Sequence, residues 1–169
     1  KGGLLGRKIE LITEDDKSDP ATAVRIYEKL ITQVKVDAIL GPYGSSIGEP
    51  VADVSEKYRM PMLSHSPTIS MFKKGRKFVF MVLPPAELFL EGLIDIAAKR
   101  GLKTVAIIGQ DTLFAKAVAQ GTVEFAKKKG LQVVLLEAYA KDTTDFAALI
   151  DRVRAANPDV IAAATLFED

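Results

Sequence analysis

Short apolar runs alternate along the chain with stretches whose apolar positions recur at helical spacing, and turn-forming residues punctuate most of the changes. Residues 9–13 read as a short strand, followed by the acidic loop Glu14-Asp15-Asp16-Lys17-Ser18. Asp19 stands where an N-cap belongs and Pro20 at the first helical position; Ala23, Ile26, Tyr27, Leu30 and Ile31 supply the apolar stripe of that helix. Residues 36–40 read as a strand ending at Gly41-Pro42, and a second helix spans 47–58, where Pro50 is tolerable because it lies near the first turn. Met62-Leu63 begin a brief strand that stops in the polar loop Ser64-His65-Ser66-Pro67-Thr68, and 78–82 form another, closed by Pro84-Pro85. From Ala86 the pattern repeats as helix 86–100, strand 104–108, helix 113–129 stopped by Gly130, strand 131–136, helix 144–156 and strand 160–164.

Repeated β-α-β units imply right-handed crossovers and parallel sheets, so the expected fold is α/β with three-layer, parallel-sheet architecture. The last strand has no covering helix after it, which leaves a sheet face unprotected and predicts a fragment, incomplete at both ends. Pro84-Pro85 is the expected internal boundary, since two prolines cannot continue a central strand.

Composition narrows the function. The 169 residues carry 23 basic and 22 acidic side chains, a net charge of +1, which argues against a nucleic-acid partner because phosphate binding needs a basic excess. With 48% hydrophobic and 27% charged residues the chain forms a core, and no apolar run reaches the roughly 18 residues of a membrane crossing, so direct membrane insertion is not expected. The absence of cysteine removes disulfides, thiolate nucleophiles and cysteine metal sites. No signal sequence is contained in this chain.

Parallel sheets bind ligands at the carboxyl ends of their strands. After the second strand comes Gly41-Pro42-Tyr43-Gly44-Ser45-Ser46, in which glycines permit close approach, hydroxyls donate, and the following helix N-terminus favours an anion. The next loop adds Ser64, His65, Ser66 and Thr68. Together they suit a small carboxylate, although serines and threonines in such loops also cap helices and turns. Enzyme readings are weaker. His65 is the sole histidine, no Gly-x-Ser-x-Gly elbow follows a strand, and no phosphate loop or dinucleotide fingerprint is present, so no catalytic residue, cofactor or metal is expected. The Glu14-Asp15-Asp16 cluster lacks the later strand-end aspartate that a phosphoacceptor site requires, and reads as a solvated turn; Lys127-Lys128-Lys129 reads as an exposed helix end.

The runs GRKIELITEDDKSDPATAV, VDAILGPYGSS, MPMLSHSPT, GRKFVFMVLPP and DTTDFAALIDRVRAANPDVI, in that order, resemble the solute-binding proteins of branched-chain amino-acid type ABC transporters, with the type I periplasmic binding fold. The resemblance implies two lobes, residues 1–85 belonging to the first and 86–169 to the second, with a hinge crossing at Pro84 and Pro85. It places a ligand carboxylate on Ser45 with help from Ser46 or Gly44, an ammonium group on Ser66 and Thr68, and covering contacts at Phe114 and at Leu166-Phe167. His65 stands where the family usually has proline, and puts a titratable donor near the ligand. Phe114-Ala115 stands where a Tyr-Gly pair is common. These departures suggest a ligand less polar than a leucine zwitterion, such as an aromatic or aliphatic carboxylate, beside the family default of an amino acid. The implied partner is an ABC transporter permease, the implied location periplasmic or extracellular, with or without a lipid anchor. A ligand-sensing domain of a receptor or regulator is the alternative with the same fold.

Overall fold

Asp19 does cap the first helix. Its Oδ1 accepts the Thr22 amide at 2.8 Å from an extended backbone, and Pro20 opens α1 (Pro20–Lys29). The computed structural model describes residues 3–66 and 68–165. Beyond Lys29 the helix widens into a π-turn, Leu30–Val34, which ends where Lys35 enters the left-handed region at φ 62°. There follow β1 (Ile39–Leu40), α2 (Ser45–Tyr58), β2 (Met62–Ser64), the single turn α3 (Ser70–Lys73) and β3 (Val79–Met81). The three strands pair in parallel in the order β1-β2-β3.

Alternation along these strands decides what is buried. Ile39, Met62 and Val79 face inward and pack with Ala23 of α1, Val51 and Ala52 of α2 and Met71 of α3. Their neighbours Leu40, Leu63 and Phe80 lie in register across the sheet, point to the other face and stay exposed.

The second half begins with a 3-10 turn at Ala86–Leu88 and continues through α4 (Glu91–Lys99), β4 (Thr104–Gln110), α5 (Leu113–Lys129), β5 (Gln132–Tyr139), α6 (Ala147–Ala156) and β6 (Val160–Ala164). Its parallel sheet has the order β5-β4-β6, with β4 buried along most of its length. Val105, Ile107 and Ala162 pack against Ile94 and Ala97 of α4 and Ala126 of α5, while α6, whose Leu149 and Val153 are buried, lies against β5. This is the expected α/β architecture with parallel sheets.

Four of the differences from expectation have a local physical reason. Residues 9–13 form no strand: Ile9, Leu11 and Ile12 are exposed, and a groove of about 1010 Å³ separates this segment from α1 and β1. Alternation supplies an apolar face, but a strand exists only where a neighbour completes its ladder. The strand expected at 36–40 shrinks to Ile39–Leu40 because only those residues pair with β2. The helix expected over 86–100 is broken after its first turn, where Leu88 and Phe89 donate to the carbonyls of Pro85 and Ala86, and α4 starts only at Glu91. That break lets Gly121 of α5 approach the Glu87 carbonyl so closely that a Cβ would collide with it. The helix expected from 144 starts at Ala147, since Asp145 Oδ1 takes the Ala147 amide at 2.9 Å and turns the chain there.

Candidate ligand-binding site

The loops after β1 and β2 are brought side by side because those strands are neighbours. Gly41 donates its amide to the Leu63 carbonyl at 2.8 Å, and a Cβ at Gly41 would strike Met62 Cε, so glycine allows this approach. Gly44, at φ 90° and ψ 133°, turns the chain into α2, with its carbonyl accepting the Gly48 amide at 2.9 Å. Glycine has no side chain to cap the helix, and among the described residues no acceptor meets the amides of Ser45, Ser46 and Ile47.

Three cross-links tie the second loop to the first, and a fourth hydrogen bond braces the second loop internally. His65 Nδ1 lies 3.1 Å from the Gly41 carbonyl oxygen, and Ser66 Oγ donates to the Gly44 carbonyl at 3.0 Å. Thr68 Oγ1 donates to Ser45 Oγ at 2.5 Å, and Ser64 Oγ accepts the Ser66 amide at 3.1 Å. Ser45, Ser66 and Thr68 are 1%, 0% and 2% exposed, so these hydroxyls form the floor of the site. Gly44 and His65 are half-buried, and Ser46 and Tyr43 are exposed, so these residues form its rim. In this pairing Ser45 Oγ accepts from Thr68, and its own hydrogen remains to donate.

The floor is held from behind. The buried Arg76 side chain donates to Asp53 Oδ1 at 2.5 Å, Glu49 Oε1 at 3.1 Å and the Met71 carbonyl at 2.7 Å, locking the segment after α3 onto α2. Glu56 Oε2 accepts the Lys77 and Phe78 amides at 2.8 and 3.0 Å, fastening the far end of α2 to the start of β3. At the end of β1, the Leu40 carbonyl accepts Tyr27 Oη–H at 2.6 Å, and burial together with the charge of Asp16 pushes this phenol up to about 12.

Gly44, Ser45, Ser46, His65, Ser66 and Thr68 therefore come together in one place. Phe114 belongs to a different cluster. It is the second residue of α5, half-buried, edge-on to Phe89 at 5.4 Å and packed with Ala86, Ala115, Val118 and Ala164. Pro84 and Pro85 lie in the connection between β3 and the 3-10 turn. Phe167, with Leu166, lies outside the described residues. Ser64, which the sequence offered as a further hydroxyl of this loop, braces Ser66, and one contributor was missed at the sequence level: Gly48, whose lack of a Cβ leaves room for Ser66 Oγ. Gly48 carried a signal, a glycine inside an otherwise helical run, which marks either weakness or close approach.

Comparison with known proteins agrees with the fold. The chain is 26% identical over 164 residues to an amino acid binding protein of Pseudomonas aeruginosa, covering 95% of this chain and 43% of that protein. It is 28% identical over 171 residues to the Leu/Ile/Val-binding protein homolog 7 of Brucella melitensis, again covering 95% and 43%. The crystal structure of an extracellular ligand-binding receptor from Rhodopseudomonas palustris HaA2 superposes with a TM-score of 0.87 at 25% identity, over 95% of this chain and 44% of that one. The chain thus spans less than half the length of these relatives. The periplasmic binding protein family model matches residues 1–169, and with the parallel sheets and the loops at their carboxyl ends this makes the chain a member of the periplasmic binding protein family, with the type I fold.

Proposed function

We propose that this chain forms part of a non-catalytic solute-binding protein that holds a small carboxylate-bearing solute, an amino acid or a related organic acid, between two lobes and delivers it to the permease of an ABC importer. Residues 1–85 and 86–169 are the contributions to the two lobes, Pro84 and Pro85 the hinge between them, and the location is the periplasm or cell exterior. The observation that carries this reading is the junction of the uncapped α2 N-terminus with the hydroxyl floor. Unpaired amides, the positive end of the helix dipole and the hydrogen of Ser45 Oγ converge where an anion would sit. Charge-assisted hydrogen bonds of this kind hold a carboxylate without an arginine. The carboxylate takes Ser45 and the first amides of α2, and Ser46 reaches it from the rim. Ser66 and Thr68 lie on the side where an amino group would be met. Phe114, and Phe167 with Leu166, cover the solute from the second lobe. Relatives named as amino acid and Leu/Ile/Val-binding proteins support an amino acid as the solute.

The test is calorimetric titration of the complete protein with L-leucine, L-valine and L-phenylalanine. Ser45→Ala removes a hydrogen bond to a charged group and is expected to weaken binding by about 1 to 3 kcal/mol, whereas Lys127→Ala, at the far end of α5, leaves it unchanged. Equal affinities for the Ser45 variant and the parent would move the pocket to another loop.

A further inference from the structure

The geometry points to His65 as the residue that selects the solute's amino group, acting through an unprotonated Nε2 whose state is set by the loop it touches. This rests on the reading that the site lies between the loops after β1 and β2. His65 Nδ1 is 3.1 Å from the Gly41 carbonyl oxygen, and a carbonyl can only accept, so Nδ1 carries the hydrogen. Gly41 is anchored on its N-terminal side, where its amide donates to the Leu63 carbonyl at 2.8 Å, and the carbonyl that faces His65 belongs to the following Gly41-Pro42 peptide. In the neutral ring the other nitrogen is then a bare lone pair. No described residue bonds to Nε2, and His65 is half-buried at the rim, so this acceptor is available to a solute.

An acceptor discriminates. It repels a carboxylate and receives an N–H, so His65 does not serve as the donor to an aromatic or aliphatic acid that its residue type alone suggested. Its neighbours divide in the same sense. Ser66 Oγ spends its hydrogen on the Gly44 carbonyl and keeps only lone pairs, while the donors of the site, the α2 amides and Ser45 Oγ–H, lie on the other loop. One side of the site donates and the other accepts, which matches a solute bearing both a carboxylate and an ammonium group.

Two side chains separate the two ring nitrogens. Asn reaches about as far as Nδ1 and can keep the bond to Gly41 without offering the outer acceptor, whereas Gln reaches about as far as Nε2 and can offer it. The complete protein is titrated at mildly alkaline pH with leucine, valine and phenylalanine and with their deaminated partners 4-methylpentanoate, 3-methylbutanoate and 3-phenylpropanoate. The expected result is preference for an amino acid over its partner acid, a loss of about tenfold or more in that preference in His65→Asn with acid affinity kept, and recovery in His65→Gln. Binding of the acids in preference to the amino acids, binding of none of the amino acids, an unchanged preference in His65→Asn, or equal loss for both solute types would each overturn the assignment. Nitrogen-15 spectra of histidine-labelled protein, with His65→Gln to assign the signal, read the tautomer directly: a neutral ring protonated at Nε2 contradicts it. Ser45→Ala run alongside separates the two levels, since loss there with no effect at His65 rejects only this inference, and no effect at either rejects the site.

Discussion

Gly48 shows how closely the site is built at the residue scale. It sits on the face of α2 toward the second loop, and a Cβ there would collide with Ser66 Oγ and come within 2.9 Å of Ser66 Cβ. Gly48→Ala is therefore expected to raise helix propensity yet push Ser66 off the Gly44 carbonyl, with a net destabilisation of about 1 to 3 kcal/mol from overpacking and weaker solute binding. Chemical denaturation and calorimetry of the variant check both, and a variant more stable than the parent with full affinity contradicts the close approach. The hydroxyls and the histidine were legible in the sequence because strand-end loops of parallel sheets carry ligand chemistry. The direction of each hydrogen bond was not, because it depends on which carbonyl comes within reach after folding. His65 is the clearest instance: its residue type allows donor or acceptor, and only the position of Gly41 decides.

Among the elements, both halves use a carboxylate to fasten the start of a strand. Glu56 takes the Lys77 and Phe78 amides before β3, and Asp159 takes the Lys103 and Thr104 amides at 2.7 and 2.9 Å beside the starts of β4 and β6. The amides of Lys103 and Thr104, with the Thr104 hydroxyl, hold Asp159 below its ordinary value of 3.8. The folded chain thus keeps this group ionised to lower pH than the unfolded chain does. Its contribution to stability is complete above the ordinary value and is lost as pH falls through the lowered one. Asp159→Ala is expected to reduce the melting temperature at neutral pH by a few degrees and to have a progressively smaller effect as pH falls below the ordinary value; a loss that does not diminish towards acid contradicts the linkage. In the first sheet Met62 is fully buried between Ile39 and Val79, and Met62→Ala should cost about 2 to 5 kcal/mol in denaturant unfolding. The end of α5 was readable because Gly130 carries a local signal, a left-handed stop at φ 77°, while at its start Thr112, not singled out in the sequence, caps the helix by accepting the Ala115 amide at 3.3 Å. The strand at 9–13 misled because pairing is non-local: alternation names the inner face of a strand but does not supply its neighbour.

For the molecule as a whole, two parallel three-stranded sheets are joined through the Pro84-Pro85 connection, each with helices on the side of its core. The row Leu40, Leu63 and Phe80 on the first sheet, and Leu136 and Ile161 on the second, remain exposed on a chain less than half as long as its relatives. Closure of two lobes on a solute predicts that the complete protein contracts on binding, seen as a smaller radius of gyration in X-ray scattering with solute than without; identical profiles would remove the hinge role given to the prolines. The α/β class and its order were legible because β-α-β repetition is a property of the whole chain and tolerates errors in any one element. The most direct measurement is the crystal structure of the complete protein with its solute bound. The solute carboxylate is expected within hydrogen-bonding distance of Ser45 Oγ and the first amides of α2, between the two loops; a solute lodged elsewhere, with Ser45 and Thr68 still bonded only to each other, would contradict the account.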